Sequence, residues 1–273
     1  MAFSVNTNAG AMAALQSLNA TNRSMETTQS RINTGLNVAS TKDDSAKYTV
    51  AQTLRGDQGG LTAVTSSLNN AKSTVDVAVS GAEQISDLIN DMKSKAYEAA
   101  SATDDGTIKA LQKDYDGLKS QIDSIIKSSN FNGVNLIDGG HGSVSSLQTL
   151  DTSNLLQVDH QDIGGLGISA LNGSADLTNA TTAGATVSTL DDISDKLNDV
   201  LSTLGAKSRQ IDGQLSFTSN LSDVIETGIG NLVDADLAKE SAKLQSLQVQ
   251  QQLGVQALSI ANQAPQTILS LFK

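Results

Sequence analysis

The stretch that decides the fold is LTAVTSSLNNAKSTVDVAVSGAEQISDLINDMKSKAYEAA, residues 61–100, in which apolar residues recur at alternating spacings of three and four. The recurring positions are Leu61, Val64, Leu68, Ala71, Val75, Ala78, Ala82, Ile85, Ile89, Met92, Ala96 and Ala99. A repeat sustained over about five heptads is typical of a coiled coil. At a rise of ~1.5 Å per residue, it predicts a helix of roughly 60 Å and an elongated molecule.

The helical pattern continues after this stretch. Asp105-Gly106 predicts a turn, and a second apolar repeat from Ile108 to Ile125 predicts a helix that lies antiparallel to the first. A further repeat runs from Leu190 to Ile225. The fold class is therefore mainly α, an antiparallel helical rod formed by helices from both ends of the chain.

A segment of different character interrupts these helices. Residues 128–195 contain no Lys or Arg, and the heptads disappear. Within it, LLQVDHQD (155–162) and GGLGIS (164–169) are bounded by Gly and polar residues and predict short strands or hairpin pieces. The small polar residues of NGSADLTNATTAGATVST (172–189) predict an exposed loop. We expect a small β-containing insert between the helices.

The composition excludes several classes of function. Aromatic residues make up only 3%, which argues against a compact, enzyme-like core. The single proline, Pro265, leaves the rest of the chain free to form very long helices. A net charge of −11 disfavours nucleic acid and anionic membranes as partners. Without cysteine, neither disulfides nor thiolate metal sites can form.

The first fifteen residues, MAFSVNTNAGAMAAL, carry no positive charge, and the first Arg is Arg23. No apolar run reaches the ~18 residues of a membrane span. We therefore expect neither a Sec-type signal peptide nor a transmembrane helix, and any export would use another route.

Both terminal arms carry apolar repeats. The N-terminal repeat comprises Leu15, Leu18, Asn22, Met25, Gln29, Ile32 and Leu36, in which the polar members set register at some cost in stability. The C-terminal arm carries two stripes on nearly opposite helix faces. One contains Leu237, Leu244, Leu247, Leu258, Ala261, Ile268 and Phe272, and the other contains Val249, Leu253, Ala257, Ile260, Ala264 and Leu271.

A helix that is apolar on two faces needs two partners. The N-terminal arm can cover only one face, so a second copy of the chain is the simplest cover for the other; the alternative is a helix inside an ordinary bundle. The predicted polymer interface comprises Leu15, Leu18, Asn22, Met25, Ile32, Leu36, Leu247, Leu253, Leu258, Ile260, Ala264, Ile268, Leu271 and Phe272.

The chain offers few candidates for chemistry. His141 and His160 could form a metal or acid–base pair, but exposed loop histidines are the simpler interpretation. Asp43-Asp44 could be an acid–base pair, although the helix dipole favours carboxylates at the start of a helix. The glycine-rich GGHG and GGLG lack the Lys of a phosphate loop, and no EF-hand spacing appears. We predict no catalytic, cofactor or metal site, and no enzymatic activity.

Four segments resemble bacterial flagellins. INTGLNVASTKDDSAKY (32–48) is similar to a flagellin signature with a short turn followed by Asp-Asp, and NFNGVNLIDG (130–139) is similar to the Phe-Asn-Gly segment that follows the third helix. FSVNTNAGAMAAL (3–15) and VQALSIANQAPQTILSLFK (255–273) resemble flagellin termini. The match covers residues 1–140 and about 190–273. Lys47 departs from it, since many members carry Gly there.

The resemblance implies a structural subunit that self-polymerises into the extracellular flagellar filament for swimming motility. It implies an inner core domain from residues 1–42 and 231–273, an outer core domain from 43–140 and 190–230, and a solvent-facing insert at 141–189. Export would occur unfolded, through the flagellar type III apparatus. Partners would be other flagellin copies, hook-associated and cap proteins, and an export chaperone. A hook–filament junction protein and an enzyme carried in the insert are the alternatives.

The resemblance also implies two surface features. Thr178, Thr181, Thr182 and Thr186 in the insert would be O-glycosylated, as many flagellins are. INDMKSKAYE (89–98) aligns with the helix that an animal Toll-like receptor recognises in enteric flagellins. There, Asp91 replaces an Arg and Lys95 an outward Leu, so we expect poor receptor activation.

Overall fold

The computed structural model describes residues 7–140, 142–166 and 177–271. The helices are α1 (Ala9–Thr34), α2 (Ser45–Ser101), α3 (Asp105–Ser128), α4 (Ala180–Val233) and α5 (Leu237–Leu271). The strands are β1 (Asn130–Phe131), β2 (Val134–Asn135), β3 (Val144–Leu147) and β4 (Leu155–Val158), and a short 3-10 helix covers Gly164–Leu166. The prediction of a mainly α fold with a small β insert is confirmed.

The chain forms two compact units. The central unit comprises residues 57–223, and the terminal unit comprises the residues up to 56 and from 224 onwards. Helices α2 and α4 contribute residues to both units, whereas α1 and α5 belong to the terminal unit.

Helix α2 carries the apolar repeat of residues 61–99. All twelve predicted positions, from Leu61 to Ala99, are at most 3% exposed. The helix begins earlier than the repeat because Asp44 caps it: the Asp44 carboxylate accepts hydrogen bonds from the backbone N–H groups of Ala46 and Lys47, both at 3.1 Å. The predicted coiled-coil pattern therefore corresponds to one buried face of a continuous helix.

Helices α2 and α4 run antiparallel in the central unit. Lys72 Nζ lies 2.9 Å from Asp212 Oδ1, and Lys93 pairs with Asp191. The repeat predicted from Leu190 onwards supplies the α4 side of the core: Leu190, Ile193, Leu197, Val200, Leu204 and Ile211 are all buried. On α3, Tyr115 and Ile122 are fully buried and complete the helical part of this core.

The turn predicted at Asp105-Gly106 is wrong. Both residues lie in the first turn of α3, and the connection from α2 consists of residues 102–104. Asp104 caps α3 by accepting a hydrogen bond from Thr107 N at 2.9 Å. Because an aspartate is strongly preferred at a helix N-cap, the helix begins right after Asp104, and Gly106 is accommodated inside it.

Two hairpins make up the β structure. Asn132 (φ 50°) and Gly133 (φ 81°) form the two-residue turn between β1 and β2, as a type I′ turn requires. Strands β3 and β4 pair antiparallel from Val144 opposite Val158 to Leu147 opposite Leu155. The strand predicted in LLQVDHQD is confirmed, whereas GGLGIS begins as a 3-10 helix and continues outside the described residues.

The loop predicted for residues 172–189 is wrong in its second half, because α4 already begins at Ala180. The Asn179 side chain accepts hydrogen bonds from Thr181 N and Thr182 N, at 3.0 and 2.9 Å, and caps the helix. Ala183, Thr186, Val187 and Leu190 then follow at helical spacing and are buried. Small polar residues are typical of loops, but here the buried ones recur at helical spacing and form one face of α4.

In the terminal unit, α1 and α5 pair antiparallel. Three contacts join them in order: Asn8 Nδ2 to Ala261 O at 2.7 Å, Gln251 Nε2 to Asn22 Oδ1 at 2.8 Å, and Arg31 Nη1 to Glu240 Oε1 at 3.2 Å. Gly35 (φ 72°) ends α1 in the left-handed conformation that glycine tolerates best. The buried hydrophobic cluster of this unit is small: Val38, Ala51, Ile229 and Val233.

Candidate self-assembly surface

The α1–α5 seam, the surface where these helices meet, contains several of the predicted interface residues. Leu247 is buried, and Leu18, Asn22, Met25, Ile32 and Leu258 are half-buried. Leu36, also half-buried, lies after the end of α1, where it forms a β-bridge with Asp234.

Two positions predicted for the α1 seam are wrong. Leu15 is 47% exposed, and Gln29 is also exposed. Each is adjacent to a less accessible residue, the half-buried Ala14 and the fully buried Thr28. Leu15 was predicted at the seam because it is large and apolar, whereas the face of α1 that α5 covers passes through the smaller Ala14.

Gly254 allows close approach of the two helices at the seam. A methyl group placed on Gly254 would come within 3.2 Å of Leu18 Cδ1, whereas one on Gly10 would lie 4.0 Å from Ala261 Cβ, an ordinary contact distance. Neither glycine was predicted from the sequence, where the only signal was the occurrence of Gly inside a helical pattern.

The outer face of α5 consists of Val249, Leu253, Ala257 and Ile260. Ala257 is exposed, and the three larger side chains are 56%, 58% and 69% exposed. On α1, Met12 and Leu15 are also exposed. The predicted Ala264, Ile268, Leu271 and Phe272 have side chains outside the described residues.

An ion pair joins α1 and α5 in the terminal unit. Glu240 is only 8% exposed and pairs with Arg31 across the seam, with Lys243 at 3.9 Å on its other oxygen. The sequence gives no direct signal for this pair, because 209 residues separate Arg31 from Glu240.

Asp43 and Asp44 have structural roles. Asp43 Oδ2 accepts hydrogen bonds from Ala39 N, Ser40 N and Ser40 Oγ, and the bond from the Ser40 backbone is the main cause that lowers the Asp43 pKa. Asp44 caps α2. The interpretation of this pair as residues of a helix start is confirmed.

The described ranges contain no group of three or more His, Asp or Glu side chains arranged to hold a metal ion. His160 is half-exposed in the insert, and His141 lies outside those ranges. Within the same ranges, no helix combines the length and the hydropathy needed to cross a bilayer.

The predicted receptor patch is only partly outward. Asp91 is exposed, but Lys95 is half-buried and lies 3.4 Å from Glu98. Both line a groove of about 550 Å³ between α2 and α3, together with Lys113 and Asp114. Lys95 is therefore less accessible than Asp91, because α3 packs beside it.

The predicted glycosylation sites also divide. Thr178 and Thr181 are exposed and Thr182 is half-buried, but Thr186 is 1% exposed. The Thr186 hydroxyl donates to Thr182 O inside α4. Thr186 is therefore excluded as an acceptor, because the helix that replaced the predicted loop buries it.

Comparison with known sequences decides the family. The bacterial flagellin N-terminal helical region matches residues 5–141, and the bacterial flagellin C-terminal helical region matches residues 187–272. The chain belongs to the bacterial flagellin family. Flagellin FljM of Caulobacter vibrioides is 43% identical over 99% of this chain and 98% of its own length. A flagellin of Brucella melitensis is 38% identical over 99% of each chain.

The chain is accordingly a structural subunit of the bacterial flagellar filament that assembles with copies of itself. A solved structure from Vibrio parahaemolyticus, provisionally described as a flagellar hook-associated protein, shares the fold with a TM-score of 0.61 over 70% of this chain and 100% of its own. At 12% identity this likeness shows the fold alone. The full-length flagellin relatives therefore favour the filament over the junction alternative.

Proposed function

We propose that the outer face of α5 is buried against another copy of the chain in the filament, while the α1–α5 seam holds the ends of each subunit together. The observation that carries this proposal is the asymmetry of α5. One face packs on α1 through Leu247 and Gly254, while the opposite face exposes Leu253 and Ile260 to solvent.

The energetics support assembly through this face. Complete burial of a Val, Leu or Ile side chain contributes about 1.5–3 kcal/mol. Val249, Leu253 and Ile260 are each more than half exposed, so a neighbouring copy could add roughly half of that range per side chain. Because every subunit in a polymer makes the same contact, the gain recurs along the filament.

The division of the chain into domains is also part of this proposal. Residues 1–42 and 231–273 would form the inner core, 43–140 and 190–230 the outer core, and 141–189 the solvent-facing insert. The two compact units support a division into a terminal and a central part. Export unfolded through the flagellar type III apparatus to the cell exterior, with a chaperone and with hook-associated and cap proteins as partners, is part of this proposal.

A pair of polar substitutions tests the outer face. We expect Leu253→Gln combined with Ile260→Gln to prevent polymerisation, as measured by sedimentation and electron microscopy, without lowering the melting temperature of the monomer. Leu155→Gln is the matched control, because Leu155 is 50% exposed on β4 in the insert and should leave assembly intact. Normal filaments from the double variant would contradict the proposal.

The surface of α2 is a poor match for the animal receptor that the family resemblance suggests. The exposed Asp91 carboxylate would repel partners that fit an Arg at this position. We expect Asp91→Arg to raise potency in a cell reporter assay, with Asp91→Asn as the control for removing the charge alone. Equal potency of the unaltered chain and an enteric flagellin would refute this reading.

We propose that O-glycosylation in the native host uses Thr178, Thr181 or Thr182. Their accessibility at the start of α4 supports this proposal. An intact mass equal to the 28.2 kDa of the sequence would exclude it.

A further inference from the structure

The turn between β1 and β2 contains a chemically fragile pair of residues. In an Asn-Gly sequence, the glycine has no side chain to shield its backbone nitrogen. That nitrogen can attack the side-chain carbonyl carbon of the asparagine. Asn132 and Gly133 form such a pair, and both are exposed to water.

Deamidation at this pair would proceed through a cyclic imide. Gly133 N would attack Asn132 Cγ and lose its proton to water, while the Asn132 side-chain nitrogen would leave as ammonia. One water molecule would then open the ring to give either aspartate or isoaspartate. The net reaction consumes one water and releases one ammonia, and it needs no enzyme.

A third residue, Asn130, binds the attacking nitrogen atom of Gly133. Gly133 N donates a hydrogen bond to Asn130 Oδ1 at 3.0 Å. Both turn residues have positive φ, as the tight type I′ conformation requires. Ring closure must therefore break the bond to Asn130 and distort a fixed turn before Gly133 N can reach Asn132 Cγ.

We propose that Asn130 protects Asn132-Gly133 from spontaneous deamidation by holding the Gly133 amide. The protection matters to the core because isoaspartate would insert an extra methylene into the turn backbone. Asn135, directly opposite Asn130, donates to Ile126 O at 2.6 Å and accepts from Ile137 N at 2.9 Å. A longer turn would shift this anchor, which positions the fully buried Leu136 and Ile137.

A second Asn-Gly pair in the same chain, Asn172-Gly173, provides an internal clock. The folded full-length chain is incubated at mildly alkaline pH in water enriched in the heavy oxygen isotope. Peptide mapping by mass spectrometry then gives the deamidation rate of each pair. We expect Asn130→Ala to accelerate Asn132 about two- to tenfold relative to Asn172, the factor that corresponds to one net hydrogen bond.

Three controls decide the interpretation. Asn130→Asp keeps an acceptor for the Gly133 amide, so its rate should stay near that of the unaltered chain. Val134→Ala truncates a half-buried side chain of β2 and so weakens the hairpin, but it keeps Asn130. It should accelerate deamidation of Asn132 less than Asn130→Ala does. In concentrated urea, the effect of Asn130→Ala should disappear.

Each opposite result would overturn the proposal. Equal rates for Asn130→Ala and the unaltered chain would show that the contact gives no protection. Acceleration by Asn130→Asp or Val134→Ala as large as that by Asn130→Ala would assign the protection to general hairpin stability. An effect that persists in urea would assign it to the local sequence instead of the fold.

Discussion

In the central unit, Leu68, Ile89 and Leu204 are inaccessible to solvent, whereas in the terminal unit Leu253 and Ile260 are more than half exposed. Both units consist mainly of amphipathic helices, so the difference lies in where the second partner of each helix is found. In the central unit the partners are other elements of the same chain. In the terminal unit one partner of α5 is α1, and we propose that a second copy of the chain covers the other face of α5.

The largest test of this comparison is removal of the last part of α5. Deleting residues 263–273 removes Ile268, Leu269, Leu271 and Phe272, each worth about 1.5–3 kcal/mol if it is buried in the polymer. We expect polymerisation to fail, as seen by electron microscopy. The melting temperature of the central unit should stay the same, and filaments of normal length from the truncated chain would break the comparison.

A matched pair of leucines measures the same difference in the monomer. Leu68→Ala should cost about 2–5 kcal/mol of unfolding free energy, because it opens a cavity in a fully buried core. Leu258→Ala, at a half-buried seam position, should cost less than half as much. Urea unfolding followed by circular dichroism measures both, and equal losses would mean that the terminal unit is as well packed as the central one.

A smaller effect is expected at the polar contact of the seam. Asn22→Ala leaves Gln251 without the hydrogen bond that it donates to Asn22, which typically costs about 0.5–1.5 kcal/mol. Since both residues are only half-buried, we expect a value at the low end, measured as a lower dissociation temperature of assembled filaments. Asn19→Ala, on the exposed side of α1, is the control.

The smallest effects are expected on the stability of the fold at acidic pH. The hydrogen bond from Thr107 N, with those from Thr107 Oγ1 and Gly106 N, lowers the pKa of Asp104 below 3.8. A carboxyl group with a lowered folded-state pKa stabilises the fold above its unfolded pKa, and that contribution is lost as the pH falls through the lowered value. We expect Asp104→Asn, which keeps an acceptor, to reduce the dependence of the melting temperature on pH in acid. An unchanged dependence would show that the cap does not couple to pH.

The sequence was most informative where a residue pattern is compatible with only one secondary structure. The repeat from Leu61 to Ala99 predicted the buried face of α2 because no other arrangement covers so long an apolar stripe. It was least informative where local preferences compete. Asp104 and Asn179 each cap a helix at a point where Gly106 and a run of small residues indicated a turn or loop.

The seam shows a different limit. Arg31 and Glu240 meet only because α1 and α5 pair in one register, which neither helix specifies by itself. The same holds for Leu15, whose exposure depends on where α5 lies and not on its own hydrophobicity.

The ion pairs between α2 and α4 also restrict how this chain can change its length. Lys72 and Lys93 are 21 residues apart, and so are their partners Asp212 and Asp191. An insertion or deletion between the two lysines would misalign one pair unless α4 changed by the same number of residues between the two aspartates. This part of α2 and α4 must therefore gain or lose residues together.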